Sequence, residues 1–312
     1  MRITELDEYI KKNHLETPDD IQFQKAVDAF GYYKPGPDPV TKEDFRLPES
    51  VSIPDHAINL AYERGILQYG LVKKYAPTNI MEFGTGSAGF STLCMALATH
   101  QIHEKGDIFT IDYLPHNEKF LHHYKKQNEI HEIHTTRYDY WKNSDFSHVL
   151  NSVIPLSGFA SEITSKHKFP KIQFFNYDIS GSHYTSVKNS FLSSLILTDS
   201  KSHCLINTYT DAPFGTGVKK FVDEDIAPVF DVEMIVVDKS NYWAECGATN
   251  SPYGMCFFEI KKDEMIEHFG LKNIEQSIQQ YRRFEKRLKF RTKLNKKLPF
   301  LKNTKFNVLS KS

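Results

Sequence analysis

The sequence predicts an α/β protein with a doubly wound, mostly parallel seven-stranded sheet and an antiparallel C-terminal hairpin, and three observations predict it. Strand-like and helix-like runs alternate between residues 79 and 225, the pattern of a parallel sheet covered on both faces. The first strand-to-helix junction carries three glycines, Gly84, Gly86 and Gly89. The last two strand-like runs, 232–238 (VEMIVVD) and 254–260 (GMCFFEI), have no helix-length pattern between them, so they pair antiparallel.

Each element follows from local pattern. Residues 1–53 form an N-terminal arm with a short helix and then GYYKPGPDPV, where Pro35, Pro37 and Pro39 force an extended connection. From residue 54 to 262 runs the main domain. It opens with a helix carrying Ala57, Leu60, Ile66, Leu67, Tyr69 and Leu71 and stopped by Pro77. The short apolar run 79–83 (NIMEF) is the first strand and 90–98 the helix after it. A second strand over 107–112 (DIFTID), a helix over 116–127 and a weaker third strand over 130–138 continue the alternation. Residues 141–170 are polar and poorly periodic, with a helix over 146–154. The fourth strand is 171–179 (KIQFFNYDI) and the fifth 202–209 (SHCLINTY), with helices over 185–197 and 217–225. In such a sheet ligands bind outside the carboxyl ends of the strands. Residues 263–312 form a basic helical tail.

Composition excludes several classes. The 312 residues hold 40% hydrophobic and 25% charged side chains, which rules out a disordered or collagenous chain. The start, MRITELDEYIKKNH, lacks the apolar stretch of an export signal, and the longest apolar run, 80–98, is broken by Glu82 and the three glycines, so the expected location is the cytoplasm. Cys94, Cys204, Cys246 and Cys256 form no C-x-x-C pair and are read as reduced thiols. Zero net charge hides an asymmetry: residues 271–312 carry 13 Lys/Arg against 2 Asp/Glu, a net +11. Ile274, Ile278, Tyr281, Phe284 and Leu288 recur there at helical spacing among basic residues, a pattern that suits a solvated helix or the anionic inner face of a membrane.

The chemistry is concentrated in one loop. Gly84-Thr85-Gly86-Ser87-Ala88-Gly89 fits G-x-G-x-x-G between a strand and a helix, where glycines allow close backbone approach and the helix N-terminus offers free N–H groups. Glu82, at the strand end, favours a cationic ligand over a pyrophosphate. Asp112, 23 residues after Gly89 and followed by Tyr113, ends the second strand, where an acid can accept both hydroxyls of a ribose.

Read as E-F-G-T-G-S-A-G, this segment resembles the first motif of class I S-adenosylmethionine-dependent methyltransferases, whose doubly wound sheet is also closed by an antiparallel strand. The resemblance implies S-adenosylmethionine as co-substrate, with Glu82, Gly84, Thr85, Gly86, Ser87, Gly89, Asp112 and Tyr113 around it and Asp139, at the end of the third strand, near the adenine. Residues 171–191 resemble the bacterial macrocin O-methyltransferase-like branch through Gly181, Ser182, His183, Val187 and Lys188, with Ser180 where that branch has an acid and Asp178 as the nearest carboxylate. After the fifth strand the branch has an Asp that helps bind a divalent metal; here Asn207-Thr208-Tyr209 lacks it, so no metal ligands are assigned. Methyl transfer to a hydroxyl requires alignment, exclusion of water and a base, and Asp178 and His183 are the candidates. The acceptor expected is a sugar, a glycan precursor or another small hydroxyl compound. No D/N-P-P-Y/F segment is present, which argues against DNA. The alternatives are an NAD(P)-dependent oxidoreductase and a non-catalytic binding protein of the same fold. A homo-oligomer is left open.

Overall fold

The computed structural model describes residues 1–31, 53–86, 88–103, 106–127, 129–178, 183–212, 215–238, 253–276 and part of 278–290. In chain order these form β1 (Arg2–Glu5), α1 (Leu6–Asn13), α2 (Asp20–Phe30), α3 (Ile53–Tyr75), β2 (Asn79–Phe83), α4 (Phe90–Ile102), β3 (Asp107–Asp112) and a hairpin of β4 (Phe120–Lys126) and β5 (Glu129–Thr135). There follow α5 (Arg137–Asn143), α6 (Ser147–Leu150), β6 (Val153–Ser157), α7 (Ala160–Lys166), β7 (Ile172–Tyr177), α8 (Tyr184–Ser194), β8 (Thr198–Tyr209), α9 (Thr216–Phe221), β9 (Glu233–Asp238), β10 (Tyr253–Lys261) and α10 (Lys262–Phe269).

Among the described residues one sheet has eight strands in the order β1-β9-β10-β8-β7-β2-β3-β6. β10 runs antiparallel to both β8 and β9, and the other pairings are parallel. Taken in chain order, β2, β3, β6, β7 and β8 stand as third, second, first, fourth and fifth from one edge, the doubly wound arrangement. Its order reverses between β2 and β7, and the crevice at the carboxyl ends of those strands is where such sheets take ligands.

Strand periodicity divides the core in two. On one face Ile80, Ile108, Phe174 and Leu205 pack with α1 to α4, including the fully buried Tyr9, Phe23, Phe30 and Leu67. On the other, Met81, Phe109, Phe175 and Ile206 pack with Phe191, Phe221 and Met265 from α8, α9 and α10. Residues 1–31 share that first core: β1 pairs in parallel with β9 as the eighth strand, and Thr4 donates to the Glu233 carboxylate at 3.0 Å.

Two sequence expectations are corrected. Residues 116–127 do not form a helix and 130–138 do not supply the third strand; 120–126 and 129–135 pair as a separate two-stranded sheet. The alternation that turns His122 inward onto the Ala29 carbonyl explains this, and Gln127 takes the left-handed conformation of a tight turn. The strand beside β3 is instead β6, which begins at the end of the stretch read as the helix 146–154, of which only α6 is helical. Its sequence, VIPLS, hides it, because proline in a sheet is tolerated at an edge, and β6 is an edge strand.

In the basic tail the described residues between 271 and 290 are helical; Ile274 is buried, while Arg282, Arg283, Lys286, Arg287 and Phe290 are exposed. Tyr281, Phe284, Leu288 and 291–312 lie outside the described residues. Among the described residues no helix is long and apolar enough to cross a membrane. Cys94, Cys204 and Cys256 are free and buried, with burial pushing each thiol pKa up; Cys246 lies outside the described residues.

Candidate active site

The glycine loop closes tightly because three of its residues adopt conformations that disfavour a Cβ. Gly84, Gly86 and Gly89 have φ of 93°, 70° and 81°. At Gly89 a Cβ would also fall 2.9 Å from Cζ2 of Trp141. The Thr85 and Gly86 N–H groups both donate to Oδ2 of Asp112 at 3.1 Å, and the Leu114 N–H donates to Oδ1 at 2.8 Å. Asp112 therefore lies against the loop, as the sequence spacing requires, but as the anion that the loop amides already hold. Burial raises its pKa, opposed by Arg137 and these N–H groups. Ser87 lies outside the described residues.

Glu82 is corrected. Its side chain is fully buried beneath the N-terminal turn of α4, and both oxygens are spent on protein donors. Oε1 accepts from Ser91 at 2.6 Å and Asn176 at 3.0 Å; Oε2 accepts from Thr110 at 2.7 Å and from Thr92. A carboxylate has about four lone-pair sites, and here four protein donors take them. Burial raises the Glu82 pKa and the three hydroxyl donors oppose it. With Thr110 donating to Glu82, Thr85 donates in turn to Thr110 at 2.6 Å, so a buried polar chain runs from the glycine loop across β3 and β2 to β7. Glu82 thus ties the loop, the N-terminal turn of α4 and β7 together from below.

Asp139 is corrected as well. It does not end a strand but sits in the first turn of α5, where Thr136 accepts from its N–H at 3.1 Å and donates to its carboxylate at 2.7 Å, a capping pair. The residues that do end the neighbouring strand are Ser157 of β6 and, just after it, Phe159, whose ring packs on Tyr113 at 4.6 Å. Missing the edge strand β6 hid this pairing.

Sequence reasoning also missed Arg137 and His116. Arg137, the first residue of α5, is only 3% exposed. It donates to the Gly86 carbonyl at 2.7 Å, the Leu114 carbonyl at 3.2 Å and Asp112 Oδ2 at 3.0 Å, and Nη1 lies 3.4 Å from His116 Nδ1. Arginine is always a donor, so Nδ1 accepts, and the Nε2–H of His116 donates to the Leu156 carbonyl at 3.2 Å. Burial, reinforced by Arg137, pushes the His116 pKa down to about 4. One turn along α5, Trp141 covers Gly89 and donates to the Ala88 carbonyl at 2.8 Å. A buried Arg with no motif around it gives no signal in a single sequence.

Across the switch point, Asp178 follows β7 and is bound by Nη2 of Arg64 from α3 at 2.5 Å, both side chains partly exposed. Asn207 of β8 and Gln68 of α3 both donate to Asn176 Oδ1, at 3.0 and 3.4 Å, and their own oxygens are buried with no partner among the described residues. Thr208 has φ of 67°, rare for a β-branched residue, and its hydroxyl lies 3.1 Å from that of the buried Tyr253. His183 is exposed at the N-cap of α8 and makes no side-chain capping bond; Gly181 and Ser182 lie outside the described residues. A hard divalent cation takes six or more oxygen ligands. Here one carboxylate already bound to a guanidinium stands beside one amide oxygen, and no cluster of three His, Cys, Asp or Glu exists among the described residues. These groups do not fit a metal.

No protein-family model and no curated protein matches the chain. Among solved structures it is similar to an O-methyltransferase from Bacillus cereus in complex with SAH, at 15% identity, covering 83% of this chain and 97% of that one with a TM-score of 0.47. It is also similar to the O-methyltransferase TomG from Streptomyces achromogenes, involved in tomaymycin synthesis and in complex with SAM, at 16% identity, 81% and 94% coverage and a TM-score of 0.44. The SAH-bound methyltransferase PaMTH1 from Podospora anserina matches at 13% identity, 81% and 92% coverage and a TM-score of 0.44.

Proposed function

We propose that the chain is a class I methyltransferase that takes S-adenosylmethionine at the glycine loop and methylates a hydroxyl of a small acceptor, a sugar or glycan precursor. One observation carries this reading: Asp112, at the carboxyl end of β3, is held against a left-handed glycine loop beside the switch point of the sheet. That is the position from which a carboxylate takes a ribose. The dinucleotide alternative loses support at the same atoms. The Thr85 and Gly86 N–H groups that would cradle a pyrophosphate are engaged by Asp112.

S-adenosylmethionine supplies an electrophilic methyl on a sulfonium. The acceptor oxygen attacks it in line, the C–S bond breaks as the O–C bond forms, S-adenosylhomocysteine leaves, and the hydroxyl proton passes to a base. Asp178 is that base in this reading, held at the carboxyl edge by Arg64. His183, exposed at the start of α8, is the second candidate. The basic tail at 271–312 is proposed to rest on anionic lipid at the inner membrane face, where a lipid-linked acceptor would be found; equal recovery in the supernatant with and without anionic vesicles removes that part.

Calorimetric titration with S-adenosylmethionine, S-adenosylhomocysteine and NADH tests the donor. The sulfur nucleotides bind and NADH does not, and Asp112→Ala loses the affinity. Binding of NADH alone makes the protein an oxidoreductase.

A further inference from the structure

We infer that Arg137 is a specificity-determining residue of the donor site: by holding Oδ2 of Asp112 it competes with a ribose diol for that carboxylate and sets how tightly a nucleoside ligand is held. The inference rests on the donor reading above and concerns a residue which that reading does not use.

The geometry begins with α5. Thr136 and Asp139 cap each other, which fixes the first helical turn and sends the side chain of Arg137 inward. Trp141, one turn later on the same face, packs on Gly89 and donates to the Ala88 carbonyl, so the helix is fastened to the loop at a second point. The guanidinium then bridges both walls of the site, with the Gly86 carbonyl on one side and the Leu114 carbonyl and Asp112 on the other.

Counting acceptors gives the conflict. Oδ2 of Asp112 accepts three bonds between 3.0 and 3.1 Å, from Thr85, Gly86 and Arg137, and Oδ1 accepts one from Leu114. A carboxylate has about four lone-pair sites, and a diol brings two donors. Three of the four present donors are backbone N–H groups held by the turn around them. Arg137 is the one side chain among them, and so the one that can leave by rotation. A bound diol is therefore obtained at the expense of a charge-assisted bond in a site that Asp112 and Arg137 barely expose. A simple clamp predicts the opposite, because removing it would loosen the loop and weaken binding.

The test is a calorimetric titration of the full chain, as wild type, Arg137→Met and Arg137→Lys, with S-adenosylhomocysteine and with its 2′,3′-dideoxy analogue. Methionine keeps apolar bulk and has no donor; lysine keeps the charge without the fork. The expected result is roughly tenfold tighter binding of S-adenosylhomocysteine by Arg137→Met, an intermediate gain in Arg137→Lys, and no gain for the analogue lacking the diol. Equal or weaker binding by both variants, or the same gain for the dideoxy compound, overturns the inference while leaving the donor reading intact. If no protein in the set binds S-adenosylhomocysteine, the donor reading itself has failed and the inference falls with it. Thermal melts of the variants separate lost folding from lost binding, and Arg137→Lys, which preserves the buried charge, keeps the test decisive if Arg137→Met does not fold.

Discussion

Asp112 and Asp178 end strands on either side of β2, and their surroundings differ in kind. Asp112 accepts from three backbone N–H groups and a buried guanidinium, and Glu82 below it is saturated by four donors. Asp178 meets Arg64 in a half-open position, next to two buried amide oxygens without partners among the described residues and a left-handed threonine. The Asp112 end, the donor side in the proposed reading, is thus built and held by the protein itself. The Asp178 end, the acceptor side in the proposed reading, retains hydrogen-bonding capacity and strain, the condition in which a site has contacts left to give to a substrate.

The comparison breaks first at Glu82. Glu82→Ala leaves four buried donors facing a cavity, and the expected loss is about 3–5 kcal/mol of stability, read from urea unfolding. An effect under about 1 kcal/mol would mean that water replaces the carboxylate and that the donor side is not preorganised.

His116 gives the next effect, and its sign follows from burial. Its folded pKa is lowered to about 4 from 6.5, so below pH 6.5 the unfolded chain binds a proton that the folded chain refuses. Stability is complete above that value, falls as pH drops towards 4 and is level below it, a total of roughly 3 kcal/mol from this group. His116→Gln should flatten that part of the pH–stability curve relative to wild type; superimposable curves would place His116 in solvent.

How much of this was legible depended on whether a residue's role was local. The glycine loop and Asp112 could be read because a strand, a tight turn and a strand-end acid lie in fixed sequence order. Glu82 is legible as a residue of β2, but the partners of its side chain are not. Its partners, Thr92, Thr110 and Asn176, come from α4, β3 and β7, and only the assembled sheet brings them to one point. The place of Asp139 on a helix is not legible, because β6 carries Pro155 and reads as a break, and the third strand is then expected too early, at 130–138. Arg137 and Arg64 could not be found, since each acts on a carboxylate remote in sequence.

Gly89 probes the wall between loop and helix. Gly89→Ala adds a Cβ 2.9 Å from Trp141 at a φ of 81°, with an expected cost of about 2 kcal/mol and a parallel loss of donor affinity. Unchanged affinity would detach α5 from the donor site.

The smallest expected effect on stability is at the other strand end, at Thr208. Thr208 holds a φ of 67°, which costs an L-residue about 1–2 kcal/mol, and glycine removes that strain while adding about 0.5–1 kcal/mol of backbone entropy to lose. Thr208→Gly also gives up the hydroxyl contact with Tyr253, about 0.5–1.5 kcal/mol, so the terms nearly cancel and the net change in stability should stay within about 1 kcal/mol of zero. Turnover should fall even so, because the strained residue lies one position after Asn207, whose buried oxygen has no partner among the described residues. A fully active variant would show the strain to be incidental, and the contrast between the two strand ends would then rest on Asp178 and Arg64 alone.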